Sequence, residues 1–150
     1  MSRTTVRLRH VLPPLAVALL AACARSADRA SPAAGGQGTQ AAADSAIRQM
    51  EAHIHQMEGT SADSTKVMLP EHQQLVATML TQMTDEMRAR NVPADARETA
   101  LVDSVRQDVA RLPELNTSQL AAVMPAHRQR LLRLIARYRT MMGSGGQTRG

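Results

Sequence analysis

Apolar residues recur along this chain at spacings of three and four, the period of one face of an α-helix. Ile47, Met50, Ile54 and Met57 predict a helix from about Ala42 to Glu58, opened near Asp44 or Ser45 and ended by Gly59. Residues 60–69 read as a polar loop, after which Pro70 is expected to open a second helix reaching about Arg90, with His72, Val76, Met79 and Met83 as its seam. Asn91-Val92-Pro93 is a turn. A third helix follows to about Leu112 on Val102, Val105 and Val109, with Asp95 and Glu98 in its first turn, where the helix dipole favours acids. Thr117 or Ser118 is expected to cap the last segment, and Pro125 either kinks it or starts the helix anew. Its seam is Leu120, Met124, His127, Leu131, Leu134, Tyr138 and Met141. Four amphipathic helices with short connections predict an all-α, up-down-up-down four-helix bundle over residues 41–142.

Before the bundle the pattern changes twice. Arg3, Arg7, Arg9 and His10 precede an uncharged run from Val11 to Ala22. That run is too short to cross a hydrocarbon core of roughly 30 Å, and Pro13-Pro14 interrupts it. A basic start, a short apolar centre and small residues at the end form a secretory signal over residues 1–22. Residues 23–40 then carry Ala, Ser, Gly, Pro and Gln with no large apolar side chain, which reads as a flexible linker of roughly 20–25 Å r.m.s. reach. Residues 143–150, rich in Gly, read as a disordered tail.

Leu20-Ala21-Ala22-Cys23 resembles the lipobox of bacterial lipoproteins, a resemblance confined to residues 1–23. It implies removal of the signal before Cys23 and acylation of that residue. The protein would then be anchored to a membrane by lipid, and firmly so if it carries several acyl chains. Ala24, rather than Asp, implies by the same resemblance the periplasmic face of the outer membrane. The other reading is an ordinary signal peptide that happens to contain a Cys.

Composition narrows the chemistry. One Cys permits neither an internal disulfide nor a Cys-based metal centre. With one Tyr and no Phe or Trp there is little on which to stack bases, and scarce β-branched residues disfavour sheet. The formal charge of +5 also misleads. The signal removes three Arg and no acid, leaving fifteen basic against thirteen acidic residues, a charge of +2 and no case for nucleic acid. No Gly-rich phosphate loop, nucleophile elbow or His-Glu-x-x-His occurs, so an enzyme is not expected.

Two segments look alike. Met68-Leu69-Pro70-Glu71-His72-Gln73-Gln74-Leu75 matches Met124-Pro125-Ala126-His127-Arg128-Gln129-Arg130-Leu131, each with His two residues after Pro and Gln two after that. Asp44-Ser45-Ala46-Ile47-Arg48-Gln49 similarly matches Asp103-Ser104-Val105-Arg106-Gln107. A helical hairpin used twice is one account; chance similarity in a low-diversity helical chain is the other.

In either case an up-down-up-down bundle gathers His53, His72 and His127 at one end with Met57, Met68 and Met124, while His55, about 200° from His53 around its helix, points to solvent. Neutral imidazoles and thioethers suit a metal ion, with copper favoured by the sulfur. First-turn positions for His72 and His127 would favour the neutral ring through the helix dipole. The plainer account is a capped bundle end with Met in the core. Arg130, Arg133 and Arg137 share one face of the last helix. They either pair with third-helix acids such as Asp103 and Asp108, or dock an envelope protein or anionic lipid as a metal-free interaction module.

Overall fold

The computed structural model describes residues 32–144, of which residues 37–143 are described with their side chains. The signal segment, Cys23 and the terminal residues from Gly145 onward lie outside the described residues. Four α-helices, α1 (Pro32–Met57), α2 (Ala62–Ala89), α3 (Ala96–Arg111) and α4 (Thr117–Ser144), account for nearly all of it. The all-α four-helix bundle expected from the stripes is the fold. Among the described residues no helix is long and apolar enough to cross a membrane.

Local chemistry sets the helix ends. Gly59 adopts φ +76° and stops α1 as expected. Asp95 caps α3 by accepting from the Glu98 amide at 2.9 Å. At the end of α2, Asn91 adopts φ 54° and the Val92 amide reaches back to the Met87 carbonyl at 2.9 Å, closing the helix. A single 3₁₀ turn, Leu112–Glu114, carries Pro113 and leads to α4. The α4 cap is Asn116 rather than Thr117 or Ser118. Asn116 Oδ1 accepts from the Gln119 amide and Gln119 Oε1 accepts from the Asn116 amide, both at 3.0 Å, a reciprocal capping box.

Two boundaries differ from the sequence reading. Residues 62–69 are helical and not loop, and Pro70 does not open α2. Ser61 caps the helix by accepting from the Ser64 amide at 3.1 Å, and Thr65 and Leu69 are buried on its inner face. Pro70 and Pro125 both lie inside their helices, so Pro125 starts nothing anew. Each ring is exposed, so the carbonyl four residues earlier, which loses its amide donor, lies where water can reach it. The second difference is in α1, which begins at Pro32, within the stretch expected to be linker. Among its described side chains the first buried one is nevertheless Ala43, close to the start expected from the stripe. Residues 37–42 are exposed or half-exposed, and Gly35, Gly36 and Gly38 each cost helix stability of about 1 kcal/mol relative to Ala. Hydrogen exchange should therefore show amides 38–42 far less protected than those of Ile47–Ile54. Equal protection would mean that something covers this turn.

Helices α2 and α4 run parallel. Their starts meet where Thr117 Oγ1 donates to Asp63 Oδ1 at 3.1 Å. Each is 28 residues long, and each has Pro at its ninth and His at its eleventh position. Every buried position of α4 (Leu120, Met124, His127, Leu131, Leu134, Ile135, Tyr138, Met142) falls 55 residues after a buried position of α2. The resemblance between the two segments thus extends to which side chains are inside. α1 packs chiefly on α2 and α3 on α4, as two hairpins joined through the α2–α4 contact.

The core divides into two apolar clusters. The larger runs from Ala43 to Ile54 on α1, Val76 to Met87 on α2 and Leu131 to Met142 on α4, with Val105 of α3. The smaller holds Met57, Leu69, Leu112, Leu120 and Met124. On α1, α2 and α4 one buried histidine falls where the two clusters meet.

Candidate functional site: a buried histidine layer

His53, His72 and His127 meet inside the bundle. His72 and His127 are 0% exposed and His53 is 3% exposed. The rings of His53 and His72 stack with centroids 5.3 Å apart, and those of His72 and His127 meet edge to face at 5.1 Å. His55 is solvent-facing and contacts Glu58 Oε2 at 3.2 Å, as the 200° offset predicts. The site is not at a bundle end. The histidines of α2 and α4 lie ten residues from their helix starts, about 15 Å at 1.5 Å per residue. The helix starts therefore do not set their protonation as expected, because the dipole's effect fades within one turn. Burial keeps the rings neutral instead.

One hydrogen-bonded line crosses the layer. Arg130 forks onto Asp108 through Nε at 2.6 Å and Nη2 at 2.9 Å. Asp108 Oδ2 also lies 3.0 Å from His127 Nδ1, and His127 Nε2 lies 2.9 Å from His72 Nε2. Burial pushes the Asp108 carboxyl up, but the hydrogen bonds from Arg130 and His127 outweigh it and hold the group below its ordinary value. It is therefore a carboxylate at neutral pH and accepts. The tautomers follow from the network: His127 donates through Nδ1, leaving a lone pair on Nε2, and His72 donates to it through its own Nε2. His72 Nδ1 is then a bare acceptor. It has no partner, and neither ring nitrogen of His53 has one.

All three imidazoles resist protonation. Burial pulls His72 down to about 3, and the neighbouring His127 and His53 add to that. Burial lowers His127 by more than Asp108 raises it, and it lowers His53 against a small opposing pull from Glu71. A buried unpaired donor or acceptor costs about 1–3 kcal/mol. The layer is thus held at a cost that an apolar core would avoid.

The three-histidine metal shell expected from the sequence is not formed. His53 stacks on His72, and among the described residues no three His, Cys, Asp or Glu side chains are placed to hold one metal ion. What the structure offers is a pair of opposed Nε2 atoms. For metal–nitrogen bonds of about 2.0–2.1 Å, two imidazole nitrogens stand about 3.3 Å apart on a tetrahedral ion and about 4 Å apart on a linear two-coordinate one, both wider than the 2.9 Å of this pair. An ion between them would need the pair to open and the His72 Nε2 proton to pass to Nδ1 of the same ring, which leaves both Nε2 lone pairs free to bind. Met57 and Met124 are buried in the smaller apolar cluster and Met68 packs against it, about one turn from the histidines along each helix.

The arginine face is largely engaged within the molecule. Arg130 is bound to Asp108, and Arg137 pairs with Asp95 and lies 3.7 Å from Glu98. Arg133 is exposed. Of the acids expected to answer this face, Asp108 does so, whereas Asp103 turns to Arg106 on its own helix at 3.8 Å. Sequence reasoning did not connect Asp108 with His127, nor see that Glu86 and Glu98 are buried. Glu86 gave a faint signal by sitting between Met83 and Met87 on the inner stripe.

No family model, curated protein or solved structure matches this chain. By fold and site it is a helical bundle with a buried, carboxylate-anchored histidine layer.

Proposed function

We propose that this chain is a non-enzymatic protein of the bacterial envelope, tethered through a lipid on Cys23, whose bundle core takes up one copper ion between His72 and His127. The observation that carries the reading is the 2.9 Å approach of the two Nε2 atoms, backed by Asp108 on the far nitrogen of His127. A carboxylate on the non-ligating nitrogen fixes the tautomer and raises ligand basicity in metal-binding histidines. The unpartnered nitrogens of His53 and His72 mark the layer as costly to keep for packing alone.

Copper is favoured over zinc on three grounds. Structural zinc takes four ligands, and this layer presents two. A monovalent cuprous ion is less costly to bury than a divalent one, because desolvation rises steeply with charge. The methionine-rich cluster nearby supplies soft thioethers that suit cuprous ion. The Cys23 lipid would hold this bundle at the periplasmic face of the outer membrane. The competing reading, a metal-free module docking an envelope protein or anionic lipid through Arg130, Arg133 and Arg137, is weakened by the internal pairing of two of the three.

The test is anaerobic titration of the purified chain with cuprous ion, and separately with zinc, against His72→Leu/His127→Leu. The expected result is one copper equivalent in the native protein and none in the variant, with helical circular dichroism unchanged. Asp108→Asn should weaken binding about 10–100-fold. Equal affinity in native and double variant ends the proposal and leaves the interaction module.

A further inference from the structure

The matched α2 and α4 frames differ in two informative places. Met83 of α2 corresponds to Tyr138 of α4, and Glu86 of α2 corresponds to Met141 of α4. In each pair one copy keeps a methionine and the other carries a polar group. Both polar residues lie toward the C-terminal ends of these parallel helices, and both line one cavity of about 370 Å³. The cavity also takes in Gln40 and Asp44 of α1, Arg90 after α2, and Arg139 of α4. Tyr138 is the only Tyr in a chain with no Phe or Trp.

Glu86 is 0% exposed. Its Oε1 is ion-paired with Arg90 Nη1 at 3.4 Å, and its Oε2 is buried with no hydrogen-bond partner. Arg139 is occupied by a two-point contact with Glu51 at 2.8 and 3.0 Å, so it does not neutralise Glu86. Asp44 adds a second carboxylate to the wall. The last carbonyls of α2 and α4 lie at this pole, and helix C-termini favour cations. Burial, with Glu86 and then Asp44 nearby, pushes the Tyr138 hydroxyl up to about 12 against an opposing pull from Arg90.

We propose that this cavity binds a small protonated amine, with the exposed Asp44 carboxylate accepting its N–H groups, Glu86 Oε2, which is covered in this structure, accepting another once the Arg90 side chain moves aside, and Tyr138 forming part of the wall. A charged donor supplies the hydrogen bond that Glu86 lacks, and an aromatic wall favours a cation through its ring quadrupole. The same ammonium chemistry occurs in free alkylamines and in the ethanolamine headgroup of a phospholipid. The site is separate from the histidine layer and needs no metal.

Tyr138 is also the reporter, since no other Tyr or Trp contributes to ultraviolet fluorescence. The purified, metal-free chain is titrated with n-butylammonium, putrescine and glycerophosphoethanolamine, with butyrate as the anionic control. Saturable change with the amines and none with butyrate is expected. Glu86→Met installs the residue found at the matched α4 position, and Glu86→Gln keeps the shape but removes the charge. Both should stay helical and bind about tenfold more weakly or worse, the loss of one charge-assisted hydrogen bond. Tighter binding of glycerophosphoethanolamine than of n-butylammonium assigns the headgroup as the source; the reverse order assigns a free amine. No saturable change with any amine, or unaltered affinity in a folded Glu86 variant, overturns the site.

Discussion

Acidification from pH 7 to pH 5 should sharply destabilise the metal-free protein, although no carboxylate need be protonated in that window. The cause is the histidine layer. Unfolded imidazoles take up protons near their ordinary value of 6.5, whereas burial holds His53, His72 and His127 below it in the fold. Below 6.5 the unfolded chain thus binds more protons than the native one, and stability falls with falling pH. Each histidine that is charged when unfolded and neutral when folded contributes a slope of about 1.4 kcal/mol per pH unit. For His72 the loss continues down to about pH 3. Asp108, held below its ordinary value by Arg130 and His127, adds to the loss only in the carboxylate range. Glu98 works the other way, since burial raises its carboxyl and acid relieves it. Urea melts between pH 7.5 and 4.5 measure this directly, and His72→Leu/His127→Leu should flatten most of the slope. Parallel slopes in the two proteins would show that the layer does not govern acid sensitivity.

What was legible in the sequence was local. The Ile47–Met57 stripe, the Gly59 stop and the Asp95 cap act within a few residues of themselves, so reading them needed no knowledge of the fold. Pro70 reads as a helix opener because proline is common in first helical turns, whereas the cap that opens α2 is Ser61, within the stretch that reads as a polar loop. The better signal was the match at an offset of 55, which pairs Thr65 and Leu69 with Leu120 and Met124. Taken as a statement about helix length, it would have carried α2 back past Pro70. The histidine cluster was partly legible: the stripes placed three imidazoles inside, but at a helix end and as joint ligands. That His53 stacks while His72 and His127 point nitrogen to nitrogen depends on helix packing between residues 19 to 55 positions apart. The Asp108–His127 bond was hidden for the same reason. It joins α3 to α4, and neither residue carries a local mark of it.

Removing one histidine should hurt more than removing two. In His127→Leu, the Nε2–H of His72 loses its acceptor inside an apolar layer, and Asp108 loses one donor while keeping Arg130. A stranded buried polar group costs about 1–3 kcal/mol, so this variant should lose several kcal/mol. His72→Leu leaves the Nε2 lone pair of His127 unpaired but also removes the orphaned Nδ1 of His72, so its net cost should be smaller. In the double variant both members of the pair are gone and two leucines of similar bulk join the clusters above and below. Replacing a buried polar pair by well-packed apolar residues is often neutral or stabilising by about 1–4 kcal/mol. The metal-free double variant should therefore melt at or above the native protein and clearly above His127→Leu. The coupling energy from the four melts would then be large and of the sign that marks a direct interaction. Additive losses would mean that the two rings act independently, and with them would go the case that they form one site. A double variant that matches the native fold while binding no copper would instead identify the pair as costly to keep for folding, and retained for what it binds.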